Sequence, residues 1–368
     1  MIAIVKPTYS CNFRCKYCYL TNDTKSSSRR FNVEFAKQFI VQAKEAVLRS
    51  RHKELNLIWH GGEPLLWGIE NFRRVFEFME QELQGVQYKN SLQTNLSLMN
   101  DEYIALFLKY HVHVGFSLDG VQDINDSQRV YADGTGTFNE IMQKVKLCQE
   151  QGLNIGCIVV GSKKHIGRIS ELYQFLCDHH LNFKFNPLFQ SGEAGNHIDE
   201  FGVTTKEYAQ MTIELFDLWF FDEQHHIVES NFTEIASSFI SGKTSSCMFG
   251  RNCQDNFIAI SPLGDVMPCG RFCDEGLRRY AYGNLYEESL AAILKRRKTT
   301  EAYKRWEYIS TSNCRQCMFF NICHGGCMHD GFLRSGDLKQ RTFLCNAYKK
   351  IYTHIFNRLK ETGLYNQQ

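Results

Sequence analysis

A chain of 368 residues is long enough for one large domain and a smaller one, because a single hydrophobic core stops growing at about 250–300 residues. Its formal net charge of +2 provides no electrostatic basis for binding nucleic acid or an anionic membrane surface, and no apolar run is long enough to span a bilayer. No signal peptide is recognisable, so we expect a cytoplasmic protein. In that reducing compartment, an odd count of fifteen cysteines indicates metal ligation rather than disulfides.

The first predicted element is a buried strand over residues 2–10 that ends in a loop with three cysteines. Cys11, Cys15 and Cys18 follow the spacing Cys-x3-Cys-x2-Cys. Three thiolates on a short loop can hold three irons of a cubane iron-sulfur cluster, which leaves the fourth iron open to a substrate or cofactor. The alternatives are a zinc knuckle or three free thiols, but no further Cys or His lies between Cys18 and His52.

Predicted strands and helices then alternate along the chain. Apolar periodicity predicts strands over residues 55–59, 91–94, 112–118, 155–160 and 183–188, and helices over residues 33–51, 70–83, 101–110, 138–151 and 169–179. Such alternation is typical of a parallel sheet, whose chemistry lies at the carboxyl ends of its strands. The cysteine loop and the turn Gly61-Gly62-Glu63-Pro64 both follow strands. We therefore expect them to share a site.

Between about residues 200 and 239 the alternation stops, and the sequence becomes aromatic and helical. We interpret this stretch as a linking region whose aromatic side chains pack in a core rather than contact a substrate; they include Tyr208, Phe216, Trp219, Phe220 and Phe221. A hairpin is predicted next, over residues 257–268, around a Pro-Leu-Gly-Asp turn.

A second block of cysteines surrounds this hairpin. Its members are Cys247, Cys253, Cys269, Cys273, Cys314, Cys317, Cys323, Cys327 and Cys345. Eight thiolates can fully ligate two cubane clusters, and two structural zinc sites need the same number, so spacing alone leaves both metals open. Cys273 is then left over, as a spare thiol, an exchanging ligand or a catalytic acid. The remaining cysteines, Cys148, Cys157 and Cys177, are expected to be small buried hydrophobic residues.

The first cysteine loop, including Tyr17, resembles the signature of the radical S-adenosylmethionine (radical SAM) superfamily. The resemblance implies a 4Fe-4S cluster on Cys11, Cys15 and Cys18, with S-adenosylmethionine on its open iron. The same resemblance favours iron over zinc in the second cysteine block.

Three further segments resemble cofactor contacts of that superfamily. The turn Gly61-Gly62-Glu63-Pro64 looks like its GGEP motif, which holds the amino group of the methionine moiety; an ordinary structural loop is the alternative. Ser117 and Asp119 resemble a segment that reaches the carboxylate or ribose of the cofactor. Arg129 is a further candidate for the carboxylate, with a plain surface role as its alternative.

The second cysteine block looks like the SPASM domain of peptide-modifying radical SAM enzymes. This resemblance implies one auxiliary 4Fe-4S cluster on Cys247, Cys253, Cys269 and Cys327, and another on Cys314, Cys317, Cys323 and Cys345. The expected fold class is α/β: a partial (β/α)6 TIM-like barrel over residues 1–200, a helical linking region over 201–240, the SPASM domain over 241–350, and a C-terminal helix and tail over 351–368. With the first cluster, the chain would hold three 4Fe-4S clusters.

Two reactions fit these resemblances. Anaerobic sulfatase maturases, which oxidise Cys or Ser to formylglycine, share the length and domain order, but they carry an aspartate directly after the third SPASM cysteine, where this chain has Gly270. Asp274 and Glu275 could replace that base, although their offset from Cys269 is expected to point them elsewhere. Maturases of ribosomally made peptides that join an aromatic ring to a side-chain carbon need no such aspartate.

We therefore expect a peptide maturase that forms an intramolecular, cyclophane-type C–C cross-link, with formylglycine formation as the alternative. A non-catalytic iron-sulfur electron carrier is a second alternative, which bound S-adenosylmethionine would exclude. The expected partners are a precursor peptide and an electron donor such as flavodoxin or ferredoxin. The chain begins at its first strand without room for a leader-binding domain, so the leader is expected to bind the SPASM region, the barrel surface or a separate leader-binding protein.

Overall fold

A computed structural model describes the chain over residues 1–26, 28–50, 53–244, 246–274 and 277–365. Within these residues, nine strands form one sheet. They are β1 (Ile2–Thr8), β2 (Glu54–Gly61), β3 (Gln87–Thr94), β4 (His113–Ser117), β5 (Ile155–Gly161), β6 (Phe183–Pro187), β7 (Phe257–Ile260), β8 (Asp265–Met267) and β9 (Gly283–Asn284).

The α-helices of the described residues lie on the sheet and around its C-terminal extension. In chain order they are α1 (Asn22–Lys25), α2 (Val33–Leu48), α3 (Ile69–Glu82), α4 (Asp101–Lys109), α5 (Gln122–Gln128), α6 (Phe138–Glu150), α7 (Ile169–Asp178), α8 (Glu193–Asn196), α9 (Ile198–Phe201), α10 (Thr205–Phe220), α11 (Ser230–Ser241), α12 (Gly270–Asp274), α13 (Leu290–Arg297), α14 (Glu301–Thr311), α15 (Phe320–Cys323), α16 (Met328–Ser335) and α17 (Cys345–Glu361). Short 3₁₀ helices lie at Pro64–Trp67, Lys163–His165, Cys253–Asp255, Arg278–Tyr280 and Asn313–Gln316. None of these helices is both long and apolar enough to cross a membrane.

Strands β1 to β6 are parallel, and each pairs with the next one along the chain. This arrangement confirms the expected α/β partial barrel. The helix α2 shows how local sequence sets its position: the side chain of Asn32 accepts from the backbone N–H of Phe35 and caps the helix, and its apolar face is buried against the sheet. The carboxyl ends of the six parallel strands, and the loops that follow them, lie at the same edge of the sheet.

The hairpin of the C-terminal half extends this same sheet. Strand β7 runs parallel to β1, from Ile2 opposite Phe257 to Val5 opposite Ile260, while β8 and β9 are antiparallel additions. The predicted hairpin is confirmed, but its pairing with β1 was not predicted. As a result, α12, which follows β8 directly, lies close to the end of β1.

The linking region consists of α10 and α11, which pack against the C-terminal helix α17. Tyr208 and Phe216 are buried, and Trp219 and Phe220 pack against the same core, as expected. Phe221 is 51% exposed, so the core role predicted for it is wrong. It follows α10 in the turn that ends the helix, where the guanidinium of Arg358 lies 5.4 Å from its ring centre but leaves much of the side chain exposed. Cys148, Cys157 and Cys177 are fully buried, as expected.

Candidate active site

The loop that carries Cys11, Cys15 and Cys18 leaves the end of β1 and is held by main-chain contacts. The backbone N–H groups of Phe13 and Leu20 lie 3.4 Å from the sulfurs of Cys11 and Cys18, respectively. Burial is the main cause that raises the pKa of Cys11 to about 12 and that of Cys18 to about 11. Because iron-sulfur clusters bind thiolates, cluster assembly in this loop must release protons.

The spacing of the sulfurs tests whether the cysteines form a site for a single metal ion. Four thiolates on one tetrahedral zinc lie about 3.8 Å apart, given zinc-sulfur bonds of about 2.3 Å. Within the described residues, a single group of three His, Cys, Asp or Glu has all its ligand atoms within 4.8 Å of one another, and its members are Cys177, Asp222 and His225. None of the predicted cluster cysteines forms such a group, so in the described residues their sulfurs do not lie at the spacing of a tetrahedral zinc site.

Gly61 and Gly62 pack directly against the strand end that precedes Cys11. A Cβ atom on Gly61 would lie 2.1 Å from the carbonyl oxygen of Thr8, and one on Gly62 would lie 2.1 Å from that of Tyr9. The φ of Gly61 is also positive, at 134°. Only glycine is compatible with such close main-chain approach. The turn after β2 and the cysteine loop after β1 are therefore one packed unit.

Glu63 is fully buried and joins this turn to the end of β3. Its carboxylate accepts from the hydroxyl of Thr94 at 2.7 Å, from the backbone N–H of Asn95 at 2.7 Å and from that of Leu65 at 2.9 Å. Burial raises the pKa of Glu63 to about 7, against the effect of these hydrogen bonds. Pro64 begins the following 3₁₀ helix. The carboxylate of Glu63 therefore fixes the conformation of this loop through its own hydrogen bonds.

Tyr17, Asp119 and Arg129 form a buried hydrogen-bonded chain. The Tyr17 hydroxyl donates to Oδ2 of Asp119 at 2.6 Å and lies 2.6 Å from Nη1 of Arg129. Arg129 is 6% exposed, so the surface role considered for it is excluded. Its Nε has no hydrogen-bond partner in the described structure, and a ligand carboxylate would satisfy that donor. Ser117, half-buried at the end of β4, accepts from Gln93.

The second cysteine block separates into two groups in space. In what we call set A, charge interactions link the thiols of Cys247, Cys253, Cys269 and Cys327. In what we call set B, the four sulfur-bearing residues line one cavity together with aromatic side chains; they are Cys314, Cys317, Cys323 and Cys345. The two groups have the members that the resemblance to SPASM domains implies, and each offers the four thiols that a fully ligated cubane would need.

A buried ion pair joins the barrel to the region of set A. The ammonium of Lys6 on β1, 1% exposed, contacts the carboxylate of Asp274 at the end of α12. Lys6 also lies 5.8 Å from the ring centre of Tyr19, which follows Cys18. Burial, and then the charges of Cys15 and Asp274, raise the pKa of Cys18, whereas the charge of Lys25 and the backbone N–H of Leu20 lower it. The carboxylate is therefore close to the first cysteine loop.

The expectation that Asp274 points elsewhere is wrong. Gly270 and Asp274 lie four residues apart in α12, on the same helical face. A Cβ on Gly270 would lie 3.4 Å from the side chain of Ile4 and 3.6 Å from Cε of Lys6, so position 270 faces the same strand that Asp274 reaches. Glu275 lies outside the described residues. Cys273 is buried, and its carbonyl accepts from the hydroxyl of Tyr9 at 2.9 Å.

Sequence reasoning missed three residues of this region: Lys6, Tyr19 and His60. The hydroxyl of Tyr19 lies 3.5 Å from Nδ1 of His60. Burial, followed by the nearby charge of Lys6, lowers the pKa of His60 to about 3, so its ring is neutral near pH 7. A signal for Lys6 was present in the sequence, because a lysine inside an apolar strand is rarely buried without a partner.

Comparison with protein families matches two parts of the chain. The model of the radical SAM superfamily matches residues 5–176. The SPASM model, described as an iron-sulfur cluster-binding domain, matches residues 247–318. The first match contains the three-cysteine loop and the turn at Gly61. The second contains three cysteines of set A, up to Cys269, and two of set B, Cys314 and Cys317.

Similar curated proteins extend over nearly the whole chain. A cysteine-type anaerobic sulfatase-maturating enzyme of Clostridium perfringens is 23% identical over 97% of this chain and 96% of its own length. A serine-type anaerobic sulfatase-maturating enzyme of Bacteroides thetaiotaomicron is 23% identical over 100% of this chain and 93% of its own length.

Solved structures show the same fold. A structure of anSMEcpe with bound AdoMet has a TM-score of 0.83 at 20% identity and covers 100% of both chains. The structure of Streptococcus suis SuiB bound to the precursor peptide SuiA has a TM-score of 0.67 at 16% identity, over 94% of this chain and 75% of that chain.

Proposed function

The chain is a radical SAM enzyme with a C-terminal SPASM domain, and from this we propose that it oxidises a cysteine or serine side chain of a peptide to the aldehyde of formylglycine. Full-length similarity to cysteine-type and serine-type sulfatase-maturating enzymes supports the proposal. It replaces peptide cross-linking, the function expected from Gly270, as the first candidate.

The observation that carries the proposal is the position of Asp274. The missing aspartate after Cys269 was the reason to doubt formylglycine formation. Asp274 reaches the strand that Gly270 faces, one helical turn further along α12, and contacts Lys6 there. The chain therefore retains a carboxylate on this face of the helix, and we propose it as the proton acceptor of the reaction.

The cofactor groups would be held by residues already described. We propose that Cys11, Cys15 and Cys18 bind the first cluster, that the turn at Gly61 to Pro64 and the chain of Tyr17, Asp119 and Arg129 bind S-adenosylmethionine, and that sets A and B bind two auxiliary clusters. Together the first cluster and S-adenosylmethionine supply a radical that abstracts hydrogen from an unactivated carbon. The protein binds the peptide, excludes water and accepts the proton and electron.

The proposed oxidation removes two hydrogens from the target side chain of the substrate. The substrate would lose one hydrogen atom from its β-carbon and one proton from its heteroatom, with the Asp274 carboxylate as the proton acceptor. The auxiliary clusters, held by sets A and B, would supply the acceptor for the remaining electron. With serine, the resulting C=O bond is already the aldehyde. With cysteine, the C=S bond reacts with water, which supplies the oxygen and releases hydrogen sulfide.

Cross-linking of a ribosomally made peptide remains the second candidate. It is favoured by Gly270 itself and by the ion pair that already engages Asp274. The fold that this chain shares with SuiB, solved with a precursor peptide, is compatible with such a substrate. Both reactions remove two hydrogens in total, but only one of them yields an aldehyde.

The proposal includes the partners of the reaction. The electron that starts each turnover would come from a small donor protein such as flavodoxin or ferredoxin, in a reducing cytoplasm that keeps the cluster cysteines available. A peptide that enters at the carboxyl ends of the strands would be the substrate. A separate leader-binding protein belongs to the cross-linking candidate alone, where it is one of three ways to hold the leader, besides the SPASM region and the barrel surface.

The experiment compares three peptides after anaerobic incubation with the reconstituted enzyme, S-adenosylmethionine and a reductant. They share one sulfatase-type sequence, with Cys, Ser or Ala at the target position. Mass spectrometry should show a hydrazide-reactive aldehyde from the Cys or Ser peptide and no change in the Ala peptide. A two-hydrogen loss without hydrazide reactivity, on an aromatic segment that stays linked during fragmentation, would instead establish the cross-linking candidate.

A further inference from the structure

Arg305 lies in α14, between the two cysteine sets, and is 8% exposed. Its Nη2 donates to the carbonyl oxygen of Gly325 at 3.3 Å and to that of Gln340 at 3.0 Å. Gly325 stands between Cys323 of set B and Cys327 of set A. The contacts therefore fix the guanidinium at the segment that connects the two sets.

Helix α14 also reaches the other side of set A. It packs against the 3₁₀ helix Cys253–Asp255, and the side chain of Asn252 donates to the carbonyl oxygen of Tyr303 at 3.3 Å. The charge neighbours of Arg305 are accordingly four thiols from both sets, those of Cys253, Cys327, Cys314 and Cys323. The same buried guanidinium, that of Arg305, thus lies near thiols of both proposed cluster sites.

The charge of Arg305 is not neutralised by a carboxylate in the described part of the chain. No acidic group lies within 4 Å of it there, and its buried Nε has no hydrogen-bond partner. Arg271 is different, because its Nη1 contacts Oδ1 of Asp330 at 2.6 Å while it approaches Cys327. The two arginines therefore present different net charges to the cysteines, and Arg305 presents an uncompensated one.

We propose that Arg305 raises the reduction potentials of both auxiliary clusters and so makes them better acceptors of the electron that leaves the substrate. The inference rests on the ligand sets of the proposed function. A fully ligated cubane gains one negative charge when it is reduced, and its potential depends on nearby charge and solvent exposure. A buried cation stabilises the reduced state strongly, because the surrounding protein screens the interaction less than water does.

The test is an EPR-monitored redox titration of reconstituted protein in which Cys11, Cys15 and Cys18 are all changed to Ala, so that only auxiliary clusters contribute. In this background, Arg305→Gln should lower both potentials. At a fixed ambient potential we expect the ratio of reduced to oxidised cluster to fall at least tenfold, which corresponds to ~59 mV for a one-electron couple. Arg305→Lys, which keeps the charge, should retain most of the potential.

Arg297 provides a matched control. It is also 8% exposed, and its Nε also lacks a partner, but its charge neighbours are Tyr282, Tyr303 and Asp255 rather than cysteines. Arg297→Gln should therefore leave both cluster potentials unchanged. A shift as large as that of Arg305→Gln would attribute the effect to general loosening of the domain and overturn the inference.

Iron content separates the remaining outcomes. If Arg305→Gln binds its full iron content and both cluster potentials are unchanged, the role proposed for Arg305 is overturned, whereas the ligand sets are not. If Arg305→Gln loses iron, Arg305→Lys decides between the explanations. Full iron content in Arg305→Lys, with both cluster potentials equal to those of the protein that keeps Arg305, supports a charge effect. An equal loss of iron in Arg305→Lys overturns the inference. If the cysteine-substituted background itself binds no iron, the ligand sets fail, and the inference fails with them.

Discussion

Lys6 and Asp274 form a buried ion pair across 268 residues of sequence, and this pair connects the first strand of the barrel to the helix that follows Cys269. The contact exists because β7 pairs with β1 and so brings α12 to the end of the barrel strand. The pair therefore links the proposed radical site with the region of set A. Its chemistry and its structural role can be separated by mutation.

We expect Asp274→Asn to lower product formation at least 10²-fold while cleavage of S-adenosylmethionine continues. Removing a proton acceptor typically costs 10²–10⁴-fold in rate, whereas the first cluster and its cofactor do not need this carboxylate. The measurement is single-turnover analysis of both the peptide product and 5′-deoxyadenosine. Equal loss of both products would indicate that Asp274 acts on the first cluster rather than on the substrate.

A double variant is needed because Asp274→Asn leaves Lys6 buried without its charged partner, which can cost about 3–5 kcal/mol. Replacing both residues, as Lys6→Met with Asp274→Leu, removes the pair while keeping apolar volume, and such replacements are often close to neutral for stability. If Asp274 accepts the proton, the double variant should fold, bind its full iron content and remain inactive. Recovery of product would show that the pair is only structural.

We expect Gly62→Ala to prevent the first cluster from assembling. Its Cβ would lie 2.1 Å from the carbonyl oxygen of Tyr9 and 2.4 Å from that of Ser10, and neither backbone group can move without moving the loop to Cys11. Iron content should fall by one cluster, and S-adenosylmethionine cleavage should be lost. Gly195→Ala is the control, because nothing lies within 4 Å of a Cβ there and its φ is not positive; it should retain iron and activity.

The local parts of this fold could be predicted from the sequence. The strands β1 to β6 were each placed within a few residues, because buried strands bounded by polar turns carry their signal in neighbouring residues. The first strand was predicted to reach residue 10 but ends at Thr8. Beyond that point the chain turns to meet the loop after β2, where the N–H of Glu63 donates to the carbonyl of Ser10 at 2.8 Å.

Contacts between distant segments could not be predicted in the same way. Nothing in the sequence around Phe257 specifies that this strand pairs with β1, so the approach of Asp274 to Lys6 was missed and its direction was misjudged. The surroundings of Arg305 were missed for the same reason, since they come from four separate segments. A lysine within an apolar strand indicated that a partner must exist but not which residue it is.

We expect Arg129→Gln to weaken S-adenosylmethionine binding by at least tenfold without loss of iron. The guanidinium has an unpaired Nε and a contact to the Tyr17 hydroxyl, and a charged hydrogen bond is typically worth about 1.5–3 kcal/mol. Equilibrium binding of S-adenosylmethionine to the reconstituted protein measures the effect. Arg168→Gln is the control, because Arg168 pairs with Asp123 and Glu171 at the surface; unchanged affinity in both variants would contradict the proposed contact.

Stability should depend on pH through Glu229, which is fully buried and caps α11. Its carboxylate accepts from the backbone N–H of Phe185 on β6 at 2.8 Å and from that of Phe232 in α11, so it joins the linking region to the barrel. Burial raises the pKa of Glu229 to about 7 from an ordinary value of 4.5. The folded state therefore binds a proton that the unfolded state has already released.

The resulting stabilisation is fully present below pH 4.5 and is lost as the pH rises through 7. Glu229→Gln cannot titrate, so the difference in Tm between this variant and the unchanged protein should shift in favour of the variant from pH 5.5 to pH 8, by ~1–2 °C for each kcal/mol in a chain of this length. Anaerobic thermal melts of the reconstituted proteins measure this shift. Glu223→Gln is the control, because Glu223 is exposed. An equal shift of the Tm difference in Glu223→Gln, or no shift in Glu229→Gln, would mean that Glu229 does not control the pH dependence.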